Sequence, residues 1–341
     1  MERVTVAGCE VLVGRGLPVP VLPAREGRRR VAILTQPAAT PRALEVARLA
    51  RVESDIECEV IGLPDREEAK TLEVAASVYE ALARFGLARP DTVAGVGGGS
   101  VTDLAGFVAG TWLRGVEAVH FPTTLLGAVD AAIGGKTGVN LAGKNLVGVI
   151  WHPTRVTIDI DLLEALPIPL LREGMAEALK TGLVGDPGLC EALVAHGLDA
   201  ELEEVVLRSV RVKAGIVDED EAEKGVRAHL NFGHTIGHAV EYASSLSHGE
   251  SVSVGMVAAA EVSRHALGFR DTDMVRSALA SMELPTHVDG LDAARVRDLL
   301  RHDKKRDEHG LRMVLLREVG VPVVESVGAE EIEIGLAAVG L

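Results

Sequence analysis

At 341 residues, 47% hydrophobic and 25% charged, the chain has the makeup of a soluble globular protein with enough length for two domain cores. A formal net charge of −15 argues against a nucleic-acid or anionic-membrane partner, since both demand a basic face. Cys9, Cys58 and Cys190 form no CxxC pair, so neither a disulfide framework nor a cysteine zinc site is indicated. The amino-terminal stretch lacks signal-peptide character and apolar runs such as 251–260 are too short for a bilayer, so a cytoplasmic protein is expected.

Apolar and polar residues alternate over 2–14 and predict a strand pair or hairpin. Arg30–Leu34 predicts a strand that ends at Thr35-Gln36-Pro37, Pro41 opens a helix through Leu44, Ala47 and Leu49, and Glu57–Leu63 predicts the next strand. Leu72, Val74, Ala75, Val78 and Leu82 predict one continuous helix from Glu67 to Phe85. Strands follow at Val93–Val96, Val116–Pro122 and Val156–Ile160. This alternation points to an α/β fold with a Rossmann-like parallel sheet covered on both faces, and with ligands at the carboxyl ends of its strands.

From about Leu162–Pro169 the pattern turns helical, over Leu171–Val184, Leu189–Ala195, Leu202–Asp218, His234–Ala243, Val252–Leu267, Asp271–Met282 and Asp292–His302. Two short strands, Leu311–Leu316 and Pro322–Val327, follow. The expected division is an α/β domain over residues 1–163 and a mainly α-helical domain over 164–341, without a flexible tether.

The stretch from Gly95 to Gly148 is dense in glycine. The strand Val93–Val96 meets Gly97, Gly98 and Gly99, then Ser100, Asp103 and an apolar helical pattern. A strand, a glycine turn and a helix start present backbone N–H groups to a phosphate, with the helix dipole behind them. Gly134-Gly135-Lys136 and Gly143-Lys144-Asn145 add two glycine-flanked cations. Tight turns alone would explain any one of these features, but three together favour anion binding.

In the helical half, Asn231-Phe232-Gly233-His234-Thr235-Ile236-Gly237-His238 sets two imidazoles one turn apart on one helical face. His248-Gly249-Glu250 follows, and Glu177 lies earlier. Spacing alone offers His234 and His238 as joint ligands with a third from elsewhere, and a His/Glu set suits zinc better than calcium or magnesium. Lys136, Lys144, Lys180, Lys213, Arg227, Lys304, Lys305 and Arg114 lie in glycine-rich or apolar surroundings. An acidic protein that keeps cations there suits a multiply anionic small substrate; ordinary salt bridges are the other explanation.

Taken together these residues resemble the 3-dehydroquinate synthase family. The resemblance is carried by Gly97-Gly98-Gly99, Asp103-Leu-Ala-Gly-Phe, Arg114-Gly, Pro122-Thr-Thr-Leu-Leu, Val129-Asp130, Gly134-Gly-Lys136-Thr-Gly and Gly143-Lys144-Asn145. Met175-Ala-Glu177, Lys180, Asn231-Phe-Gly-His234 with His238, His248-Gly-Glu250 and Asp303-Lys304-Lys305 continue it in the same order, from about residue 60 to 317. It implies an NAD-binding α/β domain, a helical metal- and substrate-binding domain, an active site between them, and a homodimer.

The resemblance further implies zinc, with cobalt as a possible substitute, on Glu177, His234 and His248, and turns His238 to the substrate. By the same likeness Asp130, Lys136, Asn145, Lys180, Lys213, Arg227, Asn231 and one of Lys304 or Lys305 contact a small sugar acid phosphate. Arg114 would reach the phosphate from the partner subunit. NAD+ would lie against Gly98, Gly99, Ser100, Asp103, Thr123, Thr124, Lys136 and Lys144, with Glu67 and Lys70 near its adenosine end. The sequence differs from the family pattern at Arg66, where glycine is usual beside Glu67, at Glu173, at Ser100 and Thr102, and in a short segment over 241–247.

Two other activities fit parts of the pattern. Another sugar phosphate cyclase, acting on sedoheptulose 7-phosphate, glucose 6-phosphate or an amino analogue of the usual substrate, would share most of it. Of these only the amino analogue keeps the carboxylate that Lys213, Arg227 and Asn231 would recognise. A metal-dependent alcohol or glycerol dehydrogenase shares the glycine turn, but leaves Lys136, Lys180 and Arg227 unexplained.

Overall fold

The alternation at the start of the chain folds as a hairpin. In the computed structural model, which describes residues 1–141, 143–301, 306–307 and 310–341, β1 (Glu2–Val6) and β2 (Cys9–Gly14) pair antiparallel. There follow β3 (Arg30–Thr35), α1 (Thr40–Ser54), β4 (Glu57–Gly62), α2 (Leu72–Phe85), β5 (Thr92–Gly97), α3 (Gly99–Thr111), β6 (Glu117–Pro122), β7 (Lys136–Val139), β8 (Val147–Ile150), β9 (Arg155–Asp159) and α4 (Ile160–Glu164). Seven strands form one sheet in the order β1-β2-β9-β6-β5-β3-β4, parallel throughout except for β1 at its edge.

β5 sits inside this sheet and is buried along its whole length. Val93 packs into a core built with α2 and α3 on one face, and Ala94 and Val96 into a core with α1 on the other, as the two-residue period of a strand requires. The carboxyl end of β5 therefore delivers Gly97–Gly99 straight to the start of α3.

Two expectations for this unit are corrected. The single helix over 67–85 is broken: a 3-10 turn covers Arg66–Ala69 and α2 starts only at Leu72. Thr71 is extended, its hydroxyl accepts from the Val74 N–H at 3.1 Å, and it bridges to Asn140. This cap ends the helix that apolar periodicity alone would continue. The second correction concerns Lys136–Val139 and Val147–Ile150, which are strands and not part of turns, while Gly134, Gly135 and Gly143 stay in bends. β7 and β8 pair antiparallel as a separate two-stranded sheet.

The second half contains α5 (Ile168–Gly185), α6 (Pro187–His196), α7 (Leu202–Glu219), α8 (His234–Ala243), α9 (His248–Leu267), α10 (Thr272–Ser281) and α11 (Ala293–Arg301). β10 (Arg306–Asp307), β11 (Gly310–Glu318), β12 (Val321–Val327) and α12 (Ala329–Ala337) close the chain, the strands forming a three-stranded sheet. α9 is the central helix, packed against α5, α8, α10, α12 and β11. It begins four residues before the expected start, because Ser247 and Glu250 form a capping box that brings His248 into its first turn.

The chain divides into two compact units, Met1–Leu166 with Lys213–Glu221, and Pro167–Val212 with Ala222–Leu341. Among the described residues no helix is long and apolar enough to cross a membrane.

Candidate functional site

The second unit gathers its ligating side chains on three helices. α5 carries Glu177 and Lys180 one turn apart, both buried (0% and 1% exposed) and joined as an ion pair through Glu177 Oε2. α8 and α9 touch backbone to backbone: a Cβ on Gly255 would lie 1.9 Å from the Gly233 carbonyl oxygen, so only glycine fits there. That approach brings together His234 and His248, the first residues of their helices. His234 Nε2 lies 3.5 Å, and His248 Nε2 3.3 Å, from Glu177 Oε1.

The ligand atoms of Glu177, His234 and His248 fall within 4.8 Å of one another. Glu177 Oε1 is buried yet forms no hydrogen bond among the described residues. A buried carboxylate oxygen facing two imidazole nitrogens, with no proton donor aligned on it, fits a divalent ion of the zinc class. The electrostatics distinguish the two imidazoles. Burial alone would raise the Glu177 carboxyl, but the Lys180 ammonium and the His234 and His248 rings hold it well below the usual carboxylate range. Burial pushes His234 well below its ordinary value against the pull of Glu177, which keeps that ring a neutral donor. Burial also acts to lower His248, but the carboxylates of Glu177 and Glu241 outweigh it and raise the ring to about 10.

The pair suggested by spacing does not form a donor group. The His238 ring packs edge-on against His234, with centroids 5.1 Å apart, and His238 groups instead with Glu241 and His248. One helical turn aligns the two rings, but Glu177 on α5 faces His234 and not His238 among the described residues. Glu241 was not anticipated; its only signal is its place seven residues after His234 on the same helix. Nearby, Arg227 is buried in the 3-10 turn Val226–Asn231. The Asn231 amide donates to Glu223 Oε1 at 2.7 Å, another partner that sequence reasoning missed.

In the first unit the break before α2 sets side chains of the turn Arg66–Ala69 and of Lys70 into one polar network. Lys70 Nζ donates to Asp103 Oδ2 and to Asn145 Oδ1, both at 2.6 Å. Glu67 accepts from Ser100 Oγ at 3.2 Å and from Asn140 Nδ2 at 2.8 Å. Residues expected at the cofactor, and Asn145 expected at the substrate, thus share one network. Burial raises the Asp103 carboxyl, with Lys70 opposing.

Gly98 is the extended N-cap of α3; among the described residues no side chain caps that end and no acid stands in its first turn, which leaves the positive end of the helix dipole open to an anion. The Thr123 N–H donates to the Gly97 carbonyl at 2.9 Å, and Thr124 Oγ1 accepts from the Gly127 N–H at 3.1 Å, which fixes the loop after β6 beside the glycines.

Asp130 lies on the π-helical turn Gly127–Ala131. Lys213 Nζ donates to its carbonyl oxygen at 2.5 Å and to its carboxylate, so two expected substrate contacts pair directly. Lys136 opens β7 and is exposed, and Lys144 is half-buried in the loop before β8. Arg114 is exposed on the turn after α3, where it and Leu113 adopt φ of 66° and 51°. Lys304 and Lys305 lie outside the described residues.

Comparison with known proteins agrees with this architecture. Residues 60–173 match the family described as 3-dehydroquinate synthase N-terminal, and residues 174–306 the one described as 3-dehydroquinate synthase C-terminal. A 3-dehydroquinate synthase of Mycolicibacterium vanbaalenii is 43% identical over 323 residues, covering 92% of this chain and 90% of its own. Two solved structures superpose with a TM-score of 0.87. One is 2-deoxy-scyllo-inosose synthase with carbaglucose-6-phosphate, NAD+ and Co2+, 26% identical over 98% of this chain and 100% of its own. The other is 2-epi-5-epi-valiolone synthase of Streptomyces hygroscopicus with NAD+ and Zn2+, 27% identical over 99% and 98%.

Proposed function

The chain belongs to the 3-dehydroquinate synthase family, and from that premise we propose that it converts 3-deoxy-D-arabino-heptulosonate 7-phosphate to 3-dehydroquinate and inorganic phosphate. The observation that carries the reading is the buried Glu177, His234 and His248 cluster with its unsatisfied carboxylate oxygen, found in a chain whose relatives at 43% identity carry that enzyme's name. Glu177, His234 and His248 would hold zinc, or cobalt in its place, which when bound makes a chelated substrate hydroxyl more acidic. Gly98, Gly99, Ser100, Asp103, Thr123, Thr124, Lys136 and Lys144 would hold NAD+, with Glu67 and Lys70 at its adenosine end. When bound there, NAD+ would supply reversible hydride chemistry and so would not be consumed.

The residues of the chain bind, orient and neutralise charge. Lys213, Arg227 and Asn231 recognise the substrate carboxylate, which glucose 6-phosphate and sedoheptulose 7-phosphate lack. Lys136, Lys180, Asn145 and one of Lys304 or Lys305 position the phosphate and the hydroxyls, and Arg114 reaches the phosphate bound by the neighbouring subunit of a homodimer. Asp130 keeps the Lys213 ammonium in place until substrate competes for it. Next to the transient ketone the C–H bond is acidic: elimination would pass that proton to an oxygen of the departing phosphate, break the C–O bond and leave a C=C bond; after re-reduction, ring opening would release an enolate and a carbonyl, and the intramolecular aldol between them would form the C–C bond of the carbocycle. These steps need positioning more than strong acids or bases, and His238 stands beside the ligands as the group that can hold a proton at a substrate oxygen. A cytoplasmic location completes the proposal.

The test supplies the seven-carbon acid phosphate with NAD+ and zinc to the purified chain. Phosphate release without accumulation of NADH is expected. Faster turnover of sedoheptulose 7-phosphate or glucose 6-phosphate would assign the chain to a sister activity, and steady NADH formation from a simple alcohol would assign it to a dehydrogenase.

A further inference from the structure

Glu241 has no role in the site as drawn so far, yet it touches one of its ligands. It lies near the end of α8, seven residues after His234 and three after His238, on their side of the helix. Its side chain is 8% exposed, and its Oε2 lies 3.4 Å from His248 Nδ1. The other nitrogen of that ring, Nε2, lies 3.3 Å from Glu177 Oε1. His248 is therefore held between two carboxylates on different helices, one at each ring nitrogen. A neutral imidazole offers a lone pair at one nitrogen only while its proton sits on the other. A carboxylate at Nδ1 keeps the proton there and leaves Nε2, the atom that faces Glu177, as the donor.

We infer that Glu241 is a positioning residue for the metal centre: it fixes the Nδ1–H tautomer and the orientation of His248, so that Nε2 joins Glu177 and His234 as a ligand. The inference rests on the metal reading above and deepens it. Only residues 244–247 separate α8 from α9, so Glu241 braces the far side of the same short turn that delivers His248. The competing arrangement makes Glu241 itself a ligand, in the trio His238, Glu241 and His248. That arrangement would strand the buried Glu177 Oε1, which already lacks a hydrogen bond among the described residues. The inner trio satisfies it.

The experiment uses the full chain, stripped with a chelator and titrated with zinc against a chromophoric competitor, then with Co2+ while its visible spectrum is recorded. Glu241→Ala is expected to weaken zinc binding by about tenfold to a hundredfold and to shift the cobalt band. Glu241→Gln, whose amide oxygen can still accept from Nδ1–H, recovers most of both. If the alanine variant does not fold, Glu241→Leu replaces it with the same expectation. His238→Ala leaves zinc affinity unchanged, and Glu177→Ala abolishes it. Unchanged affinity and spectrum in Glu241→Ala or Glu241→Leu overturn the inference and leave the metal reading intact. Loss of zinc in His238→Ala and in Glu241→Gln, with zinc retained in Glu177→Ala, makes the outer trio the site and also overturns it. A parent chain that binds no zinc overturns both readings.

Discussion

The two units hold their charges in contrasting ways. In the first, Lys70 bonds to both Asp103 and Asn145, and Glu67 to both Ser100 and Asn140, at 2.6 to 3.2 Å. In the second, Glu177 gives one oxygen to Lys180 and turns the other to two imidazoles without a hydrogen bond among the described residues. A connected polar network is stable by itself and can accept or release a ligand at its surface. A buried carboxylate left half satisfied is costly until a cation completes it. On the proposed function, the contrast would separate a scaffold for a cofactor from a seat for a metal ion.

Breaking the second arrangement has the largest expected effect. Glu177→Gln keeps the shape but leaves the buried Lys180 ammonium beside a neutral amide. Loss of one partner of a buried ion pair costs about 3–5 kcal/mol, which urea denaturation of the chelator-stripped protein would read directly. Turnover in the presence of zinc should fall on the order of a thousandfold, as loss of several kcal/mol of Lewis-acid stabilisation implies. Within the same cluster, His248→Ala should lose zinc and activity together, whereas His238→Ala should keep zinc and lose activity. Metal analysis beside the phosphate-release assay distinguishes them, and zinc lost at His238 would restore the pair that spacing suggests.

The matching change in the first unit is smaller. Lys70→Ala removes charge-assisted bonds to Asp103 and Asn145, each worth about 1.5–3 kcal/mol. NAD+ affinity, measured by calorimetry, is expected to fall about tenfold to a hundredfold, with zinc affinity unchanged. A variant that binds NAD+ normally would separate the network from the cofactor.

The first unit also carries a charge-related liability that no ligand relieves. His120, buried on β6, is lowered to about 4 by burial, with only a backbone bond at Val119 opposing. The unfolded chain takes up that proton near 6.5, so between about pH 6.5 and 4 the unfolded state binds one more proton than the folded state. Stability from this group is complete above pH 6.5 and declines as pH falls to about 4, by about 3 kcal/mol in all. Urea midpoints recorded across that range should lose this slope in His120→Leu.

Much of this was legible in the sequence. The run from Val93 through Gly99 marks β5 and the start of α3, and α8 has its predicted bounds, because a buried strand and an amphipathic helix both announce themselves by period. The break at Lys70-Thr71 was not legible, since the apolar spacing of α2 extends smoothly back across a cap that acts through one hydroxyl. β7 and β8 were hidden because their glycines and short length mimic turns. The metal trio was legible only through the family likeness. Periodicity pairs His234 with His238, and nothing in the spacing says that α5 supplies the third ligand.

Two strained positions, one in each unit, offer the finest test of the contrast. Arg66 and Glu223 are non-glycine residues at φ of 48° and 56°, a conformation that costs an L-residue roughly 1–2 kcal/mol. The Arg66 side chain is exposed and, among the described residues, pairs with Asp65 at 4.0 Å, while its carbonyl oxygen is held by Gln36 Nε2 at 2.8 Å. The backbone is fixed from the Gln36 side, and the side chain adds nothing to offset the strain. Arg66→Gly should therefore stabilise the chain by about 1 kcal/mol or less once glycine's extra chain entropy, roughly 0.5–1 kcal/mol, is subtracted. NAD+ affinity should stay within about twofold, because the network through Glu67 and Lys70 does not use the guanidinium. Glu223 is strained but holds the Asn231 amide at 2.7 Å. There the same substitution relieves the backbone yet frees a proposed substrate contact, so Glu223→Gly should raise KM with little gain in stability. If both variants simply became more stable with unchanged kinetics, strain at Glu223 would have no link to the site.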